Sequence, residues 1–164
     1  MTKREKPIEI ITPPNMLRVK VGGRIAPADP EAIARAEKAL QQMEVEFEDW
    51  INEEVVKLEK AMAAVKKVGL ASPEGEAVFV IAHDLRGLGT TYKFPIVTRI
   101  ATSLARLIED EERRATAPVA LVGAHVNSIR AALAQNVRDD KHPIGKALAE
   151  ELETQVIALV GEAQ

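Results

Sequence analysis

Residues 29–69 read DPEAIARAEKALQQMEVEFEDWINEEVVKLEKAMAAVKKVG, with no Gly or Pro between Pro30 and Gly69. Asp29 can cap exposed amides, Pro30 suits a first helical position, and Glu31 sits at the positive end of a helix dipole. At about 100° per residue, Ile33, Leu40, Met43, Phe47, Ile51, Val55, Leu58, Met62 and Val65 fall in one stripe roughly 120° wide. The segment therefore predicts one long amphipathic helix or two collinear ones. As a single helix from Pro30 to Val68 it would span about 58 Å at ~1.5 Å per residue, enough to bend, to extend past its neighbours or to pair with a second subunit.

Downstream, the same punctuation recurs. Ser72-Pro73-Glu74 opens a second helix that fades near residues 87–91, and Pro95 opens a third carrying Ile96, Val97, Ile100, Leu104, Leu107 and Ile108 up to the charged run 109–114. Pro118 opens a fourth with Val119, Val122, Val126, Ile129 and Leu133, and Pro143 a fifth with Ile144, Leu148, Leu152, Val156 and Leu159. Aromatic residues make up only 3% of the chain, so aliphatic packing must build the core. The expected fold is all-α, an antiparallel four-helix bundle with an additional C-terminal helix. Upstream, residues 1–28 hold Pro7, Pro13, Pro14, Gly22, Gly23 and Pro27, which forbid a long helix and predict an irregular or short-hairpin N-terminal arm. The domain organisation expected is thus an arm at 1–28 and a helical bundle at 29–164.

Composition narrows function by exclusion. The 22 basic and 25 acidic residues are interspersed, with a formal charge of -3, so the concentrated basic surface that nucleic acid requires is absent from the pattern. No cysteine is present, which removes disulfides, thiolate nucleophiles and cysteine-ligated metals. The opening MTKREKPIEIITPPN lacks the apolar core of a secretory signal, and no run of eighteen apolar residues occurs, so a cytoplasmic protein without membrane contact is expected.

Chemistry concentrates in residues 78–94, VFVIAHDLRGLGTTYKF. On a helical wheel Val78, Ile81, Ala82, Leu85 and Gly89 share one face, and His83 lies roughly 160° from its centre. The imidazole should face water. Arg86 and Gly87, three and four residues on, adjoin it on the exposed face, and Thr90 continues that face by a turn. An imidazole in water titrates near ~6.5, so at neutral pH its lone pair is largely available as a nucleophile. A guanidinium beside it can stabilise phosphoryl oxygens, and a residue without a side chain lets a partner approach. Gly87 costs a helix about 1 kcal/mol relative to Ala, so it asks for a reason, which close helix packing or the approaching helix end would also provide. Phe79 and Val80, one turn earlier, fall near the exposed side and suggest a docking patch, unless residues 1–28 cover Phe79.

AHDLRG at 82–87 resembles the signature of the histidine phosphotransfer (HPt) family, in which a His is followed at +3 by Lys or Arg and at +4 by Gly. The longer stretch HDLRGLGTTYKF is similar to the active-site helix and following turn of the phosphotransfer domain in chemotaxis histidine kinases; the specific match covers about 20 residues. The resemblance implies that His83 is the phosphoacceptor, Arg86 the phosphoryl-stabilising residue and Gly87 the point of close approach, with Phe79, Val80, Thr90 and Lys93 in the partner surface. It implies a cytoplasmic phosphocarrier in a bacterial two-component phosphorelay, exchanging phosphoryl groups with a response-regulator receiver domain and with a hybrid histidine kinase. No cofactor or metal is expected on this chain, Mg²⁺ being supplied by the receiver. Lys93 stands where the family often has Gly, and Leu88 where a small residue is common.

HDLR is also similar to the phosphoacceptor box of histidine kinases, but Leu88 replaces the Pro usual at +5, residues 84–164 are too few for an ATP-binding domain, and no Gly-rich nucleotide motif is visible. A kinase-derived dimeric phosphotransferase without ATP binding stays as an alternative, as does a non-catalytic helical adaptor; monomer and homodimer are both open. His125, beside Val122 and Val126, reads as a bundle-edge residue, and His142, before Pro143, as a solvated loop residue. The three histidines lack metal-ligand spacing.

Overall fold

The computed structural model describes Lys20 and residues 29–161, the side chains of residues 44 and 45 excepted. The expected N-terminal arm at residues 1–28 lies outside the described residues, Lys20 apart. Among the described residues the regular structure is all helical: α1 (Pro30–Val68), α2 (Pro73–Leu88), α3 (Pro95–Leu107), α4 (Glu111–Thr116), α5 (Val119–Ala134) and α6 (Pro143–Val160). No described helix is long and apolar enough to cross a membrane.

The chain divides into two compact units, residues 1–39 and 40–164. In the first, Asp29 caps α1 as its sequence suggests, its Oδ1 accepting from the Glu31 amide at 3.0 Å. Arg35 lies 3.8 Å from both Asp29 and Glu31, exposed pairs worth well under about 1 kcal/mol each.

The second unit is organised around α3. Eight of its thirteen residues are buried, among them Ile96, Val97, Ile100 and Leu104, and α2, α5 and α6 all pack on it. Helix α1 contributes Ile51, Val55, Leu58, Met62 and Val65 to the same core, α5 contributes Val122, Val126 and Ile129, and α6 contributes Ala149, Leu152 and Val156. Each large aliphatic side chain withdrawn from water stabilises the fold by roughly 1.5–3 kcal/mol before entropy is counted. The apolar stripe read along α1 is only partly buried: Ile33, Leu40 and Met43 are exposed, because periodicity marks an apolar face without fixing how far other helices reach along it.

The charged run after α3 forms an element that hydrophobic periodicity could not announce. Helix α4 has no buried residue; it is held by its cap, the Asp110 carboxylate accepting from the Arg113 amide at 2.8 Å, and by Arg113 and Arg114 donating to the Arg106 and Ile108 carbonyls at 3.1 and 3.2 Å. Across the core, Arg99 of α3 and Glu153 of α6 make a two-pronged ion pair at 2.6 and 2.7 Å. That hydrogen bonding, ahead of the opposing effect of burial, holds the Arg99 pKa above its ordinary value.

Four helix ends among the described residues use a positive-φ residue: Gly69 (φ 90), Lys93 (φ 64), Asn136 (φ 52) and Gly161 (φ 79). At Lys93 the Lys93 amide donates to the Thr90 carbonyl and the Phe94 amide to the Gly89 carbonyl, the paired bonds of a Schellman stop. The reversal carries Phe94 into the core immediately before α3.

Candidate functional site

Helix α2 owes its placement to two kinds of contact. Val78, Ala82 and Leu85 are buried against the core, and two glycines let the backbone come close at its ends. A Cβ on Gly75 would lie 1.9 Å from the Leu70 carbonyl oxygen, and one on Gly89 would lie 2.6 Å from Thr98 Oγ1 and 2.8 Å from the Thr98 amide. With that face fixed inward, the opposite face has nowhere to go but water. His83 is exposed, as the wheel predicts, together with Asp84, Arg86 and Gly87.

The ring of His83 is not free of company. Arg86 places Nη2 3.2 Å from Nδ1 and 3.5 Å from Nε2. A guanidinium can only donate, so in this contact a ring nitrogen of His83 is the acceptor. Phe79 stands on the other side with its centroid 6.0 Å from the ring. Gly87 has nothing within 4 Å of the position that a Cβ would occupy, which excludes close helix packing as the reason for a glycine there. Close packing belongs instead to Gly89, two residues on.

The surrounding residues divide. Val80 is exposed at 48%, as its place on the wheel implies. Phe79 departs from that expectation: it is half-buried, packed against the core, and the Arg114 guanidinium of α4 lies 5.8 Å from its centroid. Thr90 is exposed, but its hydroxyl engages Thr98 at 3.1 Å, tying it to α3. Lys93 occupies the left-handed turn, so the backbone conformation that glycine favours is present at the position where a glycine was expected.

The other histidines are structural. His125 is a correction to the bundle-edge expectation: it is fully buried between α5 and α3. Its Nδ1 lies 2.8 Å from the Leu121 carbonyl and its Nε2 3.1 Å from Ser103 Oγ. The carbonyl only accepts, so Nδ1 carries the proton, and the Ser103 hydroxyl donates to Nε2. Burial pushes the His125 pKa below its ordinary value, against a smaller upward pull from the Leu121 carbonyl. The spacing held a signal for this, since His125 sits three residues after Val122 and four before Ile129, inside the apolar stripe. His142 is exposed and serves as the N-cap of α6, Nδ1 accepting from the Gly145 amide at 3.4 Å.

Arg114 was invisible to sequence reading because it comes from a separate element. Its guanidinium donates to the carbonyls of Ile108 at 3.2 Å and Glu109 at 3.5 Å. Comparisons with protein-family models, curated proteins and solved structures found no match to this chain.

Proposed function

We propose that this chain is a histidine phosphotransfer protein of a two-component phosphorelay, carrying a phosphoryl group on His83 to or from receiver-domain aspartates. The single observation that carries the reading is the water-facing imidazole with a guanidinium 3.2 Å from its ring and open space above Gly87 one turn later. In the transfer, the lone pair of a ring nitrogen attacks the phosphorus of an aspartyl phosphate. The N–P bond forms as the acyl O–P bond breaks, and that electron pair stays on the aspartate carboxylate. The phosphoimidazole keeps the proton on its other nitrogen or releases it to water. Arg86 donates to a ring lone pair in the free protein; on transfer it shifts to the equatorial phosphoryl oxygens, where charge-assisted hydrogen bonds stabilise the developing charge. The divalent cation belongs to the receiver, and the carrier catalyses no ATP hydrolysis.

The fold implied is the antiparallel four-helix bundle with α6 as the added C-terminal helix, and the setting a cytoplasmic relay. Support for the bundle is the core that α1, α2, α3 and α5 share. Incubation with receivers carrying labelled aspartyl phosphate tests the function: acid-labile label should appear on the wild-type chain and be lost in His83→Ala. Equal labelling of the variant would overturn the assignment. A stable complex without transfer, unaffected by His83→Ala and abolished by substitution at Val80, would replace it with a helical adaptor.

A further inference from the structure

We infer that Phe79 is a positioning residue that orients the His83 imidazole for transfer, with Arg114 of α4 fixing the phenyl in turn. The inference rests on the phosphotransfer reading and adds to it a residue that acts only through the ring of His83.

An exposed histidine on a helix ordinarily turns among its rotamers, since the outer torsion of an imidazole is broad. His83 is exposed, but it has a neighbour one turn away in each direction along α2. Arg86 places Nη2 3.2 Å from Nδ1, and Phe79 sets its centroid 6.0 Å from that of the imidazole with the planes inclined at 59°. That separation and tilt lie within the range in which aromatic pairs attract. Of the three phenylalanines, Phe47 packs with Trp50 and Tyr92, and Phe94 is buried with the Arg138 guanidinium 4.7 Å from its centroid; Phe79 has the imidazole. The buried apolar core is aliphatic apart from Phe94, so filling space does not by itself call for a phenyl at position 79.

A ring orients its neighbour only if it is itself held. Phe79 is half-buried and packed against the core, and the Arg114 guanidinium lies 5.8 Å from its centroid. Arg114 is anchored too, its Nη1 donating to the carbonyls of Ile108 and Glu109. Order therefore runs from the α3–α4 junction through the phenyl to the imidazole. Attack requires the nitrogen lone pair to line up with the O–P bond that breaks, so a ring already restricted in rotation has less freedom to give up on reaching the transition state. That advantage enters kcat and leaves affinity for the partner alone. Phe79 takes no proton and contacts no phosphoryl oxygen.

The test takes two readouts on the full chain, with Phe79→Leu to keep an apolar side chain and Phe79→Tyr to keep the ring. In proton–carbon correlation spectra the His83 ring signals should carry a ring-current offset from those of free histidine, lose it in Phe79→Leu and retain it in Phe79→Tyr. With a receiver domain that labels His83, charged by labelled acetyl phosphate, kcat should fall about fivefold in Phe79→Leu at unchanged KM, the size of one aromatic pair, and return in Phe79→Tyr. Arg114→Gln should give smaller changes of the same two kinds; wild-type values there would overturn the part assigned to Arg114. Wild-type ring signals in Phe79→Leu, or moved signals with a wild-type kcat, would overturn the inference while leaving the phosphotransfer reading intact. A rise in KM in place of the fall in kcat, or a loss of kcat that Phe79→Tyr does not repair, would assign Phe79 to docking or to packing and overturn it too. Failure of the wild-type chain to accept label from any receiver would remove both.

Discussion

Replacing Gly87 separates what folding wants at that position from what transfer wants. No atom lies within 4 Å of the place where a Cβ would stand, so Gly87→Ala adds a methyl group without a clash. Helix α2 continues to Leu88, and the Gly89 amide still donates to the Leu85 carbonyl, so the position behaves as helix interior. Alanine there should stabilise the chain by about 1 kcal/mol, through helix propensity and a smaller loss of unfolded-state entropy. For a domain of this size that corresponds to a rise of roughly 2–4 °C in Tm, readable by circular dichroism together with urea midpoints. Gly87→Leu, equally free of contacts at its Cβ, should keep most of that gain but erect a side chain one turn from His83, on the face that an incoming receiver must reach. Its rate of phosphotransfer from a charged receiver should fall at least tenfold, and Gly87→Ala should lie between. A loss of stability in Gly87→Ala would refute the open-space reading. Wild-type transfer rates in a stabilised Gly87→Leu would refute the claim that the missing side chain serves a partner.

Gly89→Ala should behave in the opposite sense, destabilising by about 1–3 kcal/mol as its Cβ presses on the Thr98 backbone, which thermal melts beside Gly87→Ala would show. His125, with a folded-state pKa below its unfolded value near ~6.5, contributes full stability above that pH. As pH falls from there toward the lowered value, the unfolded chain binds a proton that the folded one refuses, and stability should drop by at most about 1.4 kcal/mol per pH unit from this group; urea titrations of wild type and His125→Phe between neutral and mildly acidic pH should diverge accordingly. Ser103→Ala strands the buried Nε2 of His125 and should cost about 1–3 kcal/mol, measured by urea denaturation at neutral pH. A double-mutant cycle on Arg99 and Glu153 should return a coupling of about 1 kcal/mol, since both side chains keep roughly a third of their surface in water; a zero coupling energy would show the pair to be incidental.

Proline placement made much of the architecture legible. Pro30, Pro73, Pro95 and Pro143 each occupy a first helical position, and Pro118 precedes α5 directly. The exposure of His83 was legible for a related reason: once Val78, Ala82 and Leu85 are assigned inward, helical geometry leaves one direction for residue 83. What pairwise spacing cannot convey is which surfaces meet across the fold. The partner that satisfies His125 is Ser103, on another helix, so a buried imidazole looked like an edge residue. Phe79 looked exposed because Arg114, thirty-five positions away, is what lies over it. Helix α4 escaped notice since charged residues held by a cap carry no apolar period.

The turn at Lys93 leaves a built-in optical reporter. By reversing the chain after α2 it brings Tyr92, the only tyrosine, to 6.4 Å from Trp50, the only tryptophan, with Phe47 against both rings. Excitation absorbed by the phenol passes to the indole at such a separation, so the emission of the folded chain is that of a single fluorophore. Because that fluorophore sits at the end of the helix bearing His83, unlabelled protein mixed rapidly with a charged receiver can be followed by its own light.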